Sequence, residues 1–187
     1  SNHVIQISAL VSNHAINPLI YGLSWAPSTN YLKDIGATVH RWGGNHTSTY
    51  NWQAGTKNSA NDWYFENSAW SDGSAPAFAS GNTGAGAATL LTLPMLPYIA
   101  KDSTSVSFSV AKYGPQQAVD PYKANAGNGV GTNGQNIVNN PLDSGKTNSV
   151  ALQAQWLATV SPQFLALDNE MDIWSSTHRD WHPVNVT

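Results

Sequence analysis

The residues best equipped for chemistry stand at the end of a short apolar run. In "LALDNEMDIW" (residues 165–174) the run stops at Asp168, Asn169 and Glu170 and turns aromatic again at Trp174. A carboxyl delivered at a strand end among apolar neighbours can be pushed towards its protonated form by desolvation, which suits a general acid. A solvated or helix-capping glutamate is the structural alternative. A second group sits in "HRWGGNHTSTYNW" (residues 40–52), where Arg41 supplies a permanent cation able to orient a carboxylate, or a plain salt bridge. Gly43 and Gly44 permit positive φ or close backbone approach, which is weak evidence for a phosphate site. Asn45 opens an N-x-T sequon, as does Asn185, and sequons act only in a glycosylating host. Trp25, Trp42, Trp52, Trp63, Trp70 and Trp174 offer flat faces to sugar rings, with core packing as the competing use of each. His178, Asp180 and His182 share "THRDWHP", but their spacing matches no strong metal-ligand motif. There is no cysteine for a thiolate and no G-x-S-x-G elbow for a serine nucleophile.

These groups need strands to hold them. "HVIQISAL" alternates Ile5 and Ile7 against polar neighbours, a half-buried strand over Val4–Leu10. "LIYGLSW" (Leu19–Trp25) reads as a buried strand, and "PSTNYLKDIG" as a short helix capped by Ser28 or Thr29, with Leu32 and Ile35 inward and Gly36 as its stop. "ATVHRW" (Ala37–Trp42) is the next strand. "APAFASGNTGAGA" is a glycine-weakened helix, and "ATLLTLPML" (Ala88–Leu96) a strand whose exit Pro94 and Pro97 mark. "SVSFSVAKYG" alternates again, and residues 125–148 read as an extended loop. "SVALQAQWLATV" is a helix with Val150, Ala154 and Leu157 on one face, and "FLALDNE" is a further apolar strand. The alternation predicts parallel β/α units, apolar on both strand faces, with reactive groups at the carboxyl ends. Trp25, Arg41–Asn45, Pro94–Tyr98 and Asn169–Trp174 all fall there.

The 187 residues suffice for one domain but are short for a closed eight-stranded α/β barrel of about 250 residues. Charged residues make up 10% and the net charge is −3, so nothing points to nucleic acid. Eight Trp and seven Tyr in an Asn-, Ser-, Gly- and Thr-rich chain suit uncharged, hydroxyl-rich ligands and an extracellular setting. No apolar stretch reaches the roughly 18 residues that span a bilayer. The start at Ser1, with no charged-then-apolar leader behind it, predicts a mature or processed piece.

"INPLIYGLSW", "VHRWGGNHTSTYNW", "TLLTLPMLPYIAKD" and "LDNEMDIWSSTH" with the following "HP" resemble, in that order, glycoside hydrolase family 44. The resemblance covers about Ile16 to Pro183 and implies an endo-β-1,4-glucanase or xyloglucanase of a retaining clan built on (β/α)8 barrels. The fold it implies is α/β: residues 16–187 form the first half of a TIM-like barrel, and residues 1–15 give a strand to an accessory β-sandwich. By motif, Glu170 resembles the proton donor at the end of the fourth barrel strand and Asn169 its partner for the sugar 2-hydroxyl. Arg41, Asn45 and Trp52 resemble residues around the nucleophile and substrate, with Trp25 and Trp174 as further substrate-binding candidates. Met171 stands where the family usually has proline.

The resemblance also implies a nucleophilic glutamate on a seventh strand, which these residues do not reach. The expected partners are therefore a β-glucan and the C-terminal half of the barrel, contributed by a larger enzyme or a second chain. No cofactor is needed for the chemistry, and a structural calcium is compatible with the family. A non-catalytic carbohydrate-binding protein of the same fold is the alternative function.

Overall fold

The computed structural model describes residues 15–184. The strand expected at Val4–Leu10 and the sequon at Asn185 lie outside them. Four strands, β1 (Gly22–Ser24), β2 (Val39–Trp42), β3 (Ala88–Leu93) and β4 (Phe164–Leu167), form one sheet in the order β1-β2-β3-β4. Every neighbouring pair is parallel, with Gly22 opposite Val39, Val39 opposite Ala88 and Phe164 opposite Leu90. Helices α1 (Thr29–Asp34), α2 (Ala75–Ala85) and α3 (Val150–Val160) intervene between successive strands. All carboxyl ends of the strands therefore lie along one side, because parallel strands need crossovers that return the chain to its starting side.

Local chemistry accounts for most boundaries. Ser28 accepts a hydrogen bond from the Tyr31 amide at 3.1 Å and caps α1, which Gly36 ends at φ +65°. Leu32 is buried as expected, but Ile35 lies just past the last helical turn and stays exposed. The first strand is shorter than expected: Pro18–Ile20 forms a 3-10 turn capped by Asn17, so pairing begins at Gly22. Helix α2 survives its glycines because buried Asn82 anchors it. Its amide donates to Thr89 at 2.9 Å, and its oxygen meets His40 Nδ1 at 2.6 Å.

Helix α3 corrects the expected face. Gln153 and Trp156 are the buried residues, whereas Val150 is 88% exposed and Ala154 also faces outward. Trp156 turns the helix because it packs with Trp42, Tyr50, Ala75 and Leu91 in the main core. The displaced face of Val150, Ala154 and Leu157 instead lines an apolar groove of about 410 Å³ with Leu93, Met95 and Leu167. Beside it, Leu165 and Leu167 of β4 are exposed, so apolarity on both strand faces does not extend to burial at this edge.

The chain makes two long excursions beyond the strand ends. After β2, Thr56–Asn58 pairs antiparallel with Asn67–Ala69. After β3, Tyr98–Ala100 pairs with Gly145–Thr147, and Val119–Asp120 with Lys123–Gly127. The alternating "SVSFSVAKYG" is not a strand: Val106 makes one bridge to Glu66, and Val110–Tyr113 is a helical turn capped by Ser109. Its apolar residues are satisfied otherwise, with Phe108 packed edge-on against Phe65 at 5.0 Å. Residues 125–148, expected as a loop, include strand segments at both ends and the 3-10 turn Pro141–Asp143. Among the described residues no helix is long and apolar enough to cross a membrane.

Candidate active site

A cleft of about 350 Å³ opens at the carboxyl ends of β1, β2 and β4. Trp25 follows β1 directly and is fastened by its indole N–H to the Gly43 carbonyl at 2.7 Å, leaving the residue 42% exposed. Arg41 alternates with His40 and Trp42 along β2, so it faces the cleft while its neighbours pack against helices. Its guanidinium lies so close to Gly43 that a Cβ there would come within 2.5 Å of Cζ. Only glycine fits. Gly44, at φ +99°, turns its amide towards Asn169. The glycine pair thus clears space for a cation and aims one N–H at a side chain.

Asn169 and Glu170 follow β4. The Asn169 side-chain oxygen accepts from Arg41 Nη2 at 2.5 Å and from the Gly44 amide at 3.1 Å, and its Nδ2 donates to Glu170 Oε2 at 3.1 Å. One Asn169 N–H remains uncommitted, since the amide nitrogen carries two. Asn169 is buried, while Glu170 is exposed on the cleft wall in a left-handed conformation. Glu170 is therefore not enclosed by apolar neighbours among the described residues. Asp168 instead turns its carboxylate to the Ser48 hydroxyl and the Met95 amide.

Three cleft residues, Ser24, His46 and Asp62, are not among the sequence candidates. His46 and Asp62 line it together, with Asn45 Nδ2 donating to Asp62 at 3.0 Å and His46 standing 3.8 Å from the same carboxylate. Burial draws the His46 imidazole down to about 4, helped by Lys57 and opposed by Asp62, so it is neutral near pH 7. His46 lies inside the stretch already singled out. Asp62 arrives only because the excursion after β2 folds back, which no local signal announces.

Of the six tryptophans expected to offer sugar faces, Trp25 alone lines the cleft: Trp70 packs against the main core, Trp63 is exposed outside the cleft, and the other three support the fold. Trp42 is wholly buried, and Trp174 is 5% exposed in a second core with Leu96, Ala100 and Trp181, its indole donating to the Asn169 carbonyl at 3.0 Å. That bond makes Trp174 a support for the site rather than its lining. Trp52 is half-buried against the main core and donates to the Leu152 carbonyl, so it ties the β2 excursion to α3. Of the substrate-binding candidates, Trp25, Arg41 and Asn45 are in the cleft with Asn169 and Glu170.

Beneath His46 the protein buries further titratable groups. His178 is held neutral, drawn down to about 3 by burial and then by His46 and His182. Asp180, beside the Ser107 hydroxyl at 2.5 Å, is pushed up to about 7 by burial, against that hydrogen bond and the Arg179 charge. Among the described residues no group of three or more His, Cys, Asp or Glu side chains, those of the "THRDWHP" loop included, is arranged to hold a metal. Asp180 has a measurable consequence. Its folded pKa lies above the unfolded value of about 3.9, so its contribution is full below pH 4 and is lost as pH rises towards 7, at roughly 1.4 kcal/mol per pH unit. The two histidines act oppositely, losing stability as pH falls below about 6.5. Denaturant titrations of Asp180→Asn should isolate the first effect: relative to wild type, the variant gains about 3 kcal/mol between pH 5 and pH 8. A constant offset between the two proteins would contradict it.

Comparison with known proteins gives a consistent result. A family model described as glycoside hydrolase family 44 matches residues 56–187. The structure superposes over 93% of the chain on CelM2, a bifunctional glucanase-xylanase protein from a metagenome library, at 39% identity and a TM-score of 0.86. A beta-mannanase/endoglucanase A of Caldicellulosiruptor saccharolyticus is 28% identical over 98% of the chain. A family 44 xyloglucanase of Paenibacillus polymyxa shares the fold at 24% identity and a TM-score of 0.59, over 91% of the chain. The chain spans 37% of the CelM2 chain, 35% of the xyloglucanase chain and 14% of the mannanase/endoglucanase.

Proposed function

The chain belongs to glycoside hydrolase family 44, and from that premise we propose that it carries the proton-donor half of a retaining endo-β-1,4-glucan hydrolase. The observation that carries this reading is the joining of Asn169 and Glu170 to Arg41 in one cleft at the carboxyl ends of parallel strands. The described residues are then the first four strands of a (β/α)8 barrel. The sequential order β1-β2-β3-β4, the exposed apolar edge of β4 and the fraction of CelM2 that is matched all support this. Parallel sheets occur with both faces covered, so the remaining barrel would bury Leu165, Leu167 and the groove beside α3.

In this reading Glu170 protonates the glycosidic oxygen while a second carboxylate attacks the anomeric carbon from about 5–5.5 Å across the site. Glu170 then takes a proton from the water that releases the glycosyl-enzyme. Asp62 also lines the cleft, but Asn45 engages it beside His46, so we assign it to substrate positioning and place the nucleophile outside these residues. The free N–H of Asn169 is available to the sugar 2-hydroxyl, its orientation held by Arg41 and Gly44. The Trp25 face supplies a stacking surface. The substrate class follows the glucanase, xylanase and mannanase activities in the relatives' names, and the composition supports an extracellular setting.

The test is turnover by the polypeptide that contains both barrel halves. Carboxymethylcellulose, xyloglucan, xylan and mannan are offered separately, and the first product's anomeric configuration is read by NMR. New reducing ends with retained β configuration are expected on a glucan. Oligosaccharide binding without any turnover would instead establish a non-catalytic carbohydrate-binding protein.

A further inference from the structure

Asp168 does no chemistry in the mechanism above, yet it is the most heavily bonded carboxylate near the cleft. It is buried one residue before Asn169, and its amide donates to the Leu93 carbonyl at 3.1 Å, extending the β3–β4 pairing by one step. Its carboxylate gathers donors from three separate segments. The Ser48 hydroxyl donates at 2.5 Å from the excursion after β2, and the Met95 and Leu96 amides donate from the exit of β3. The Asn169 amide donates at 2.7 Å from its own turn. Hydrogen bonds to an ionised group are about twice as strong as neutral ones, and four converge here. Burial pushes the Asp168 carboxyl upward, while Ser48 and the three amides pull against it.

The backbone gives these bonds a purpose. Asp168 lies at φ +60° and Glu170 at φ +46°, so left-handed residues flank Asn169 on both sides. Aspartate tolerates that region, but glutamate does so poorly, and such conformations last only where the surroundings over-determine them. The carboxylate of Asp168 is one restraint. The Trp174 indole on the Asn169 carbonyl and the Ile173 amide on the Glu170 carbonyl are others.

We propose that Asp168 is a positioning residue: its carboxylate locks the left-handed turn after β4 to the excursion after β2 and the exit of β3, and so sets where the Glu170 carboxyl meets the leaving oxygen. This rests on the assignment of Glu170 as acid/base. A misplacement of about 1 Å can cost 10²-fold in rate. Asn at position 168 keeps the shape but turns an N–H group towards donors, so it releases the turn without emptying the site.

The experiment compares wild type, Asp168→Asn and Ser48→Ala in the polypeptide with both barrel halves. Each is assayed on a β-glucan and on an aryl β-glycoside whose leaving group departs without protonation, beside thermal unfolding. Asp168→Asn is expected to fold and to lose about 10–100-fold in kcat on the glucan. KM should change little, and the first step on the aryl substrate should keep most of its rate. An equal loss in kcat on the glucan and in the first step on the aryl substrate, or wild-type kcat on the glucan, would overturn the proposal. If Asp168→Asn does not fold, Ser48→Ala decides, because it removes one donor and should show a smaller loss of the same leaving-group dependence. No loss, or a loss independent of leaving group, overturns the proposal in that arm. An inactive Glu170→Gln beside a fully active Asp168→Asn refutes the positioning role alone, whereas an active Glu170→Gln refutes the acid/base reading beneath it.

Discussion

Replacing Glu170 with Gln is expected to lower kcat/KM on β-1,4-glucan by about three orders of magnitude, within the range that general acid catalysis contributes. Gln keeps the length and shape of the side chain and can still accept from Asn169 Nδ2, so the cleft should retain its form and its affinity for oligosaccharide. What it loses is a proton that can be given and taken back. The loss should therefore track the leaving group. An alkoxide from a glucan chain departs badly without a proton, whereas an activated phenolate does not need one. With an aryl glycoside, formation of the glycosyl-enzyme should be nearly normal and its hydrolysis slow, giving a burst of phenolate followed by a weak steady state. Reducing-end assays and stopped-flow absorbance separate these phases. Full glucan turnover by the variant would falsify the acid/base assignment.

Much of this site can be read from sequence because strand ends are local. Glu170, Asn169, Arg41 and Trp25 each stand at or just past an apolar run, and parallel β/α alternation is enough to bring such ends to one side. Asp62 could not be found in this way, since it reaches the cleft through a hairpin whose polar residues carry no periodicity. Trp174 and Trp52 were misread for a related reason. Aromatic residues after strands serve cores and ligands equally well, and the second core behind Asn169 exists only once the excursion after β3 has packed. The face of α3 failed differently. Its sequence holds two rival stripes, Gln153–Trp156 and Val150–Ala154–Leu157, and the tryptophan claims the main core through its area. The losing stripe stays apolar and lines the groove beside β4. "SVSFSVAKYG" shows the limit of alternation as a signal: Val106, Ser107 and Phe108 are all buried, polar and apolar alike, with no strand ladder.

Trp42→Ala should be the most damaging single change to the fold, at about 4 kcal/mol, within the range for deleting a buried aromatic. Trp42 is wholly enclosed, stacked on Trp70 at 5.2 Å and 21°, edge-on to Tyr50 at 5.2 Å, and against Trp156 at 5.9 Å. Its indole N–H also donates to the Gly73 carbonyl at 2.7 Å, so truncation leaves a half-buried acceptor unpaired as well as a cavity. Against a total stability of roughly 5–15 kcal/mol, a loss of that size leaves a protein that unfolds readily. Trp42→Phe keeps the stacking but drops the N–H, and should cost less than half as much. The two variants also bear on the chemistry, because Trp42 and Arg41 are consecutive on β2 and face opposite ways. A ring that holds the strand against its helices fixes the direction in which Arg41 reaches Asn169, so Trp42→Phe should leave glucan turnover almost intact. Should Trp42→Phe instead lose turnover while remaining as stable as wild type, the aim of Arg41 depends on more than the packing behind its strand. Denaturant unfolding set beside kcat for both variants distinguishes these outcomes.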